Sequence, residues 1–203
     1  MPYKRVLTIQ DISCVGQCSL TVALPIISAC GLETCILPSA VLSTHTGGFK
    51  GFTFRDLTDD IPAISAHWSK ENITFDAVYT GYLGSIKQIG YIKDVFDANG
   101  KPGCVKIVDP AMADNGSLYG LFNNEYAHAM GGLCAKADVI LPNITEACFM
   151  TDFPYKEDYD EKYVDDLLAA LSGIGVNNTV QTGVGFRPGK TVVMVFENGK
   201  KQY

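Results

Sequence analysis

No uninterrupted apolar run reaches the roughly 18 residues that a membrane-spanning helix needs, although 47% of the 203 residues are hydrophobic. No Gly-x-Gly-x-x-Gly follows the first apolar segment, where Gly16 stands alone, so the dinucleotide-binding fingerprint is excluded. No basic stripe is present. Lys and Arg are scattered and the formal net charge is -6, which argues against nucleic acid as the main partner. The acidic balance does not argue against a phosphate ligand, because backbone N–H groups and a metal ion can hold one. No Cys-x-x-Cys occurs, and no pair of histidines has metal-ligand spacing. A signal peptide is not expected either: Lys4 and Arg5 precede only a short apolar stretch, which the polar Gln10-Asp11 pair interrupts. The seven cysteines, at 14, 18, 30, 35, 104, 134 and 148, are odd in number, and several lie in apolar runs. They read as reduced thiols packed as small core residues in a cytoplasmic protein, with zinc or a disulfide as alternatives.

What is present is alternation. Strand-like segments at Arg5–Gln10, Thr34–Leu37, Ala77–Thr80, Cys104–Val108, Asp138–Leu141 and Thr179–Thr182 are separated by helix-like ones. The helices are read at Ser19–Ala29, Asp59–Lys70, Ser85–Ala98 and Asn123–Cys134, after Asn143, and along the stripe Tyr163, Val164, Leu167, Leu168, Leu171. Gly31 reads as the C-cap of the first helix. Such alternation implies βαβ units, a largely parallel sheet and an α/β fold. With no repeat and no low-complexity linker, residues 1–203 read as one domain. Thr191–Phe196 reads as a further strand leading into an Asn198-Gly199 hairpin turn. Lys201-Gln202-Tyr203 is too short to match it fully, so the sequence reads as cut inside a hairpin, with a short return strand as the alternative.

In parallel α/β sheets ligands bind beyond the carboxyl ends of the strands. That rule singles out Asp11, the loop Ser43–Gly51, Gly81-Tyr82, Asp109-Pro110, Asn143 and Thr182-Gly183. Each has a plain structural reading beside a functional one. Asn143-Ile144-Thr145-Glu146 is close to a capping box, and it could equally organise magnesium and nucleotide phosphate at a helix N-terminus. Asp109 could start a turn or serve as an acid near metal and phosphates. The hydroxyls, glycines and His45 of the second loop could form a turn or face a small polar ligand. Tyr82 could pack in a turn or stack on a ring. His67 and His128 read as structural or surface residues. Gly185–Thr191, Gly-Phe-Arg-Pro-Gly-Lys-Thr, imitates a P-loop. However, three residues separate Gly185 from the Gly-Lys-Thr and five separate Gly183, where four are required, and a strand follows. It reads as a turn.

Taken together and in order, five segments resemble the pyridoxal kinase branch of the ribokinase-like superfamily. They are Leu7-Thr8-Ile9-Gln10-Asp11, Ser43-Thr44-His45-Thr46-Gly47, Thr80-Gly81-Tyr82-Leu83-Gly84-Ser85, Val108-Asp109-Pro110-Ala111-Met112 and Pro142-Asn143-Ile144-Thr145-Glu146. The resemblance covers nearly the whole chain. It implies a three-layer α/β/α fold and ATP- and Mg2+-dependent phosphorylation of the hydroxymethyl group of pyridoxal, pyridoxine or pyridoxamine. It places His45 and Thr46 at the vitamer and Tyr82 against its ring. Asp109, Asn143 and Glu146 would help hold magnesium (Asp109 and Glu146) and the ATP phosphates, with Thr182 on the nucleotide side. It implies a homodimer. The long glycine-rich loop from His45 to Phe54 is expected to act as a partial lid. A hydroxymethylpyrimidine kinase is the nearest alternative enzyme, and a non-catalytic vitamer- or nucleotide-binding protein is the alternative of another class.

Two departures from the family stand out. Asp11 occupies the position where the best-known pyridoxal kinases have Ser, and a carboxylate there would favour an amine-bearing or protonated vitamer. The family's Gly-x-Gly-Asp, which carries the catalytic base and an anion hole, is absent from the sequence. The C-terminal part of the fold is therefore expected to be missing, and these 203 residues are expected to turn over little or no substrate.

Overall fold

The computed structural model describes residues 4–187, 189–197 and 199–202. The chain divides into two compact units, residues 1–106 and 107–203.

The first unit begins with β1 (Arg5–Ser13), whose burial is nearly continuous, as expected of a strand covered on both faces. After α1 (Leu20–Ala29), β2 (Glu33–Leu42) pairs with β1 in parallel. The short β3 (Phe54–Asp56) pairs antiparallel with the end of β2. Next come α2 (Ile61–Lys70), β4 (Phe75–Thr80), which is parallel to β1, and α3 (Ile86–Asn99). Leu7, Ile9, Leu37, Phe75, Val78, Leu83, Ile89 and Ile92 form a core with almost no solvent exposure. α1 behaves differently. It is apolar along most of its length, yet Leu20 is its one buried residue and Ile26 is 59% exposed.

β5 (Gly100–Val108) runs into the second unit, where Ile107 and Val108 pair in parallel with β8. A small antiparallel hairpin follows, β6 (Ala113–Asp114) and β7 (Ser117–Leu118). The rest of the unit is α4 (Asn124–Cys134), β8 (Val139–Ile140), α5 (Ile144–Thr151), α6 (Glu161–Gly173), β9 (Asn178–Arg187), β10 (Lys190–Glu197) and β11 (Lys200–Gln202). β8 and β9 are parallel, whereas β9–β10 and β10–β11 are antiparallel. The predicted apolar stripe of α6 is buried at all five positions. The fold is α/β with a mixed, mostly parallel sheet, as the alternation implied.

Several expectations change in detail. β1 and β2 continue past Gln10 and Leu37, because both strands stay paired through a register shift between Gln10 and Ile12. β9 runs on to Arg187 and pairs with β10 through Lys190–Arg187, so the P-loop look-alike is a hairpin connection, as read. Gly31 is the residue after the α1 C-cap, Cys30, and takes the left-handed conformation usual there. Lys200–Gln202 does form a return strand, and Lys201 ties it to Glu161 and Asp165 of α6 at 2.8 and 2.6 Å. The Asn198-Gly199 turn reading falls on Asn198, which lies outside the described residues. None of the seven cysteines forms a disulfide, but the expectation that they pack as core residues holds for Cys134 and Cys148 alone. Cys14, just after β1, and Cys30, the C-cap of α1, are exposed.

Candidate active site

In the first unit the candidate residues lie at the carboxyl ends of β1, β2 and β4. Asp11 is not in a loop after its strand, as expected, but inside β1 at the register shift. It is 5% exposed, and the Ser13 hydroxyl donates to its carboxylate at 3.1 Å. Tyr82 sits in the turn between β4 and α3. Three bonds hold that turn. Gly81 N–H donates to the Ile9 carbonyl at 3.0 Å, the Ser39 hydroxyl donates to the Tyr82 carbonyl at 2.9 Å, and Gly84 N–H donates to the Gln88 side chain at 2.7 Å. Glycine at 81 is a packing requirement, since a Cβ there would stand 2.9 Å from the Gln10 amide. Burial, then the negative charges of Asp11 and Asp56, push the Tyr82 hydroxyl up to about 12, so it stays protonated and can donate.

His45 and Thr46 occupy a loop whose base is closed by two bonds. Ser43 N–H donates to the Thr53 carbonyl and Thr53 N–H to the Ser43 hydroxyl, at 3.1 and 2.9 Å. His45 N–H donates to the Val15 carbonyl at 3.1 Å. The His45 Nδ1 accepts from Gly47 N–H at 3.1 Å, which leaves the proton of a neutral ring on Nε2. The imidazole lies against Gly16, where any Cβ would collide with it at 1.8 Å and where φ is +88°. Phe49 packs edge-on to the ring at 5.1 Å. Thr46 is exposed. The structure thus brings Asp11 and the Tyr82 turn into electrostatic contact, and it sets the His45–Thr46 loop against the segment that follows β1. The Thr44 and Thr80 hydroxyls are buried and meet no hydrogen-bond partner among the described residues, so each can bond a polar ligand or water.

In the second unit Asn143, Glu146, Asp109 and Thr182 are drawn together. Asn143 caps α5, and the capping box is complete. Glu146 N–H donates to the Asn143 side chain at 2.9 Å and Asn143 N–H donates to the Glu146 carboxylate at 2.8 Å. The other Glu146 oxygen accepts Met112 N–H at 3.0 Å, and the Asn143 amide donates to the Ala113 carbonyl at 2.8 Å. The segment after Asp109 is therefore clamped onto the start of α5. Glu146 is 3% exposed. Burial raises its carboxyl to about 7; the Asn143 N–H opposes that shift and the charge of Asp109 adds to it. Asp109 accepts Ala111 N–H at 3.3 Å, as a turn-starting residue does. Thr182 does not end its strand, as expected; it bridges to Asn143, and its N–H and hydroxyl both donate to the Pro142 carbonyl. The capping reading is thus realised, and the same box places the Glu146 carboxylate at a helix N-terminus, where the charge of Asp109 acts on it.

Among the described residues no group of three or more His, Cys, Asp or Glu side chains is placed to hold a metal ion. Asp109 and Glu146 offer carboxylate oxygens, the donor type that a hard cation such as magnesium takes, and both Glu146 oxygens also accept backbone N–H groups. No helix among the described residues is long and apolar enough to cross a membrane.

The sequence reading missed Gln88, Ser39, Asp56 and Tyr159. Gln88 did carry a signal, since Ser85-Ile86-Lys87-Gln88 is a capping-box spacing. Ser85 indeed caps α3 by accepting Gln88 N–H, but the glutamine side chain reaches one residue further back, to Gly84.

No family model matches the chain. A Bacteroides thetaiotaomicron protein assigned as a phosphomethylpyrimidine kinase is 41% identical in sequence. Its rhombohedral crystal structure superposes with a TM-score of 0.92, covering 97% of this chain and 68% of that one. Its orthorhombic form, solved with pyridoxal, gives a TM-score of 0.91, covering 97% and 69%. The pyridoxal kinase of Lactobacillus plantarum is 34% identical, with a TM-score of 0.89 over 98% of this chain and 71% of that one. A Dictyostelium discoideum pyridoxal kinase is 28% identical over 195 residues, which is 90% of this chain; the chain spans 60% of the length of that relative.

Proposed function

We infer the function from one premise: the chain belongs to the pyridoxal kinase-like branch of the ribokinase-like superfamily. We propose that the protein phosphorylates the hydroxymethyl group of a vitamin B6 vitamer at the expense of ATP, in the cytoplasm. The observation that carries this reading is the Tyr82 turn. A half-buried, protonated tyrosine stands at the end of β4 beside the Asp11 carboxylate, the arrangement suited to a flat ring bearing a positive or amine-type group. The neighbour solved with pyridoxal supports the same reading. The assignment of that neighbour favours hydroxymethylpyrimidine as a second candidate substrate.

Each residue set has a part in this reading. His45 Nε2–H, Thr46 and the Tyr82 hydroxyl hydrogen-bond the vitamer, and Asp11 attracts its charged form. Asn143 and Thr182 position the nucleotide, with the N-terminus of α5 favouring the phosphate charge. Asp109 and Glu146 would hold Mg2+, which when bound would supply positive charge to offset that of the phosphates. The proton of the attacking hydroxyl needs a base, and this sequence lacks the Gly-x-Gly-Asp that carries it in the family. The exposed apolar side of α1 supports the homodimer that the resemblance implies, a state sedimentation equilibrium reads directly.

The test is calorimetric titration of the 203-residue chain with pyridoxal, pyridoxamine and hydroxymethylpyrimidine, followed by coupled assay of ATP consumption. We expect measurable vitamer binding with turnover lowered by about 10²–10⁴-fold relative to homologues that carry the base. Tighter binding of hydroxymethylpyrimidine, by tenfold or more, would transfer the assignment to that substrate. Vigorous vitamer-dependent ATP consumption would refute the expected loss of turnover.

A further inference from the structure

We propose that Gln88 is a positioning residue for the ring-binding tyrosine: it sets the Tyr82 turn and locks it to the ends of β2 and β3. The inference rests on the assignment of Tyr82 to the vitamer side.

Gln88 is 1% exposed, and a buried primary amide must find partners for both its oxygen and its nitrogen. Its oxygen accepts Gly84 N–H at 2.7 Å. Its nitrogen donates to the Ser39 carbonyl and to the Thr58 hydroxyl, both at 2.9 Å, and lies 3.3 Å from the Asp56 carboxylate. The amide cannot be turned over, because Gly84 offers only a donor and Ser39 only a lone pair. Thr58 relays the interaction by donating its own hydroxyl to Asp56, whose same oxygen also accepts Thr58 N–H. Ser39 closes the circuit, since its hydroxyl donates to the Tyr82 carbonyl. One side chain on α3 therefore ties together a turn, the exit of β2 and the segment after β3.

The arrangement differs from what helix capping alone requires. In a capping box the glutamine would reach back to the N–H of the capping residue, Ser85. Here it reaches Gly84, inside the turn, and a Cβ added at Gly84 would lie 3.7 Å from the Gln88 amide and 3.8 Å from the Tyr82 ring. The amide and the aromatic ring thus both border Gly84. Asp56, drawn in by Gln88 and Thr58, is the second carboxylate whose charge acts on Tyr82, after Asp11. Positioning the turn and shaping the negative surroundings of the ring are consequences of the same four contacts.

Gln88→Glu keeps shape and the bond to Gly84 but turns the nitrogen donor into an acceptor facing the Ser39 carbonyl and Asp56. Pyridoxal affinity of the 203-residue chain, measured by calorimetry, should fall at least tenfold. Amide hydrogen exchange at Gly84 should accelerate, while exchange in the β1–β2 core stays unchanged. Adding Asp56→Asn removes the like charge facing the introduced carboxylate and should recover about a third or more of the lost affinity, a rescue that general destabilisation would not produce. Ser39→Ala, a milder change, should weaken pyridoxal binding a few-fold with the fold intact, and it serves if the Gln88 variant does not fold. Wild-type pyridoxal affinity in either variant, within twofold, or unchanged Gly84 protection in Gln88→Glu, would overturn the inference. If the wild-type chain binds no pyridoxal, the functional reading fails, and the exchange measurement still decides whether Gln88 sets the turn.

Discussion

In the first unit the candidate ligand groups are presented by backbone. The Tyr82 turn is anchored through main-chain atoms of residues 81, 82 and 84, and the His45 loop is closed at its base by Ser43 and Thr53. In the second unit the relation is inverted. The Asn143 and Glu146 side chains are themselves the anchors, with both Glu146 oxygens accepting backbone N–H groups from the segments at Met112 and Asn143. A side chain presented by its backbone can be exchanged to alter ligand choice at small cost to folding. A buried side chain that organises the backbone cannot be exchanged without damage to the structure around it. If the proposed site residues bind as inferred, the first unit is where specificity can vary, and the second is where the proposed site and the fold depend on the same atoms.

The sharpest way to break that contrast is Glu146→Ala. It leaves the N–H groups of Met112 and Asn143 buried without acceptors, at about 1–3 kcal/mol each, so stability should fall by about 3 kcal/mol or more. For a chain of this size that lowers Tm by roughly 6–12 °C. A loss below about 1 kcal/mol in chemical denaturation would mean that the box is not holding the segment after Asp109.

Titration of the same carboxyl gives an effect of comparable size. Glu146 is raised from 4.5 to about 7 in the folded state, chiefly by burial. A raised carboxyl favours folding fully below its unfolded value near 4.5, and that contribution disappears as pH rises through about 7. Unliganded stability should therefore decline between those two pH values, by on the order of 3 kcal/mol at most. Glu146→Gln, which cannot ionise, should flatten that part of the curve. A slope that persists in the Gln variant would assign it to other groups.

A change in the first unit should act on ligand choice instead. Asp11→Ser removes a carboxylate whose protein hydrogen bond comes from Ser13, so stability should move by no more than about 1 kcal/mol. The wild-type chain is expected to bind pyridoxamine about fivefold more tightly than pyridoxal, and the variant to lose that preference. Calorimetry with both vitamers decides it. Equal or tighter binding of pyridoxal by the wild type would remove the proposed role of Asp11.

How legible these regions were in the sequence follows from the same contrast. The α/β class could be read because alternation and the α6 stripe are local patterns that packing did not override. Asn143 and Glu146 could be found from their spacing, since a capping box is a contact between neighbours in sequence. The strand ends were misplaced at Asp11 and Thr182 because pairing with a neighbouring strand, which is not local, extended both strands past their apolar runs. Gln88 was overlooked for a related reason. Its partners Ser39 and Thr58 lie 49 and 30 residues away, and nothing in the short Ser85–Gln88 pattern announces them.

Tyr159 offers the finest test, because it is a further side chain of the second unit that anchors backbone, here with a single hydroxyl. Its hydroxyl accepts Gly185 N–H at 3.0 Å and donates to the Gly183 carbonyl at 3.3 Å, so it holds β9 just beyond Thr182. Its ring stacks on Tyr163 at 5.4 Å and meets Phe186 edge-on at 6.2 Å. Tyr159→Phe keeps the ring contacts and removes only the hydroxyl. If the second unit depends on side chains that hold backbone, this change should cost about 1 kcal/mol and lower Tm by about 2–4 °C. Because the strand it steadies carries Thr182, which is proposed to position the nucleotide, ATP binding should weaken a few-fold while vitamer binding stays unchanged. Equal weakening of both ligands would show that the two residue sets respond together, and the contrast between the units would then describe their construction but not their function.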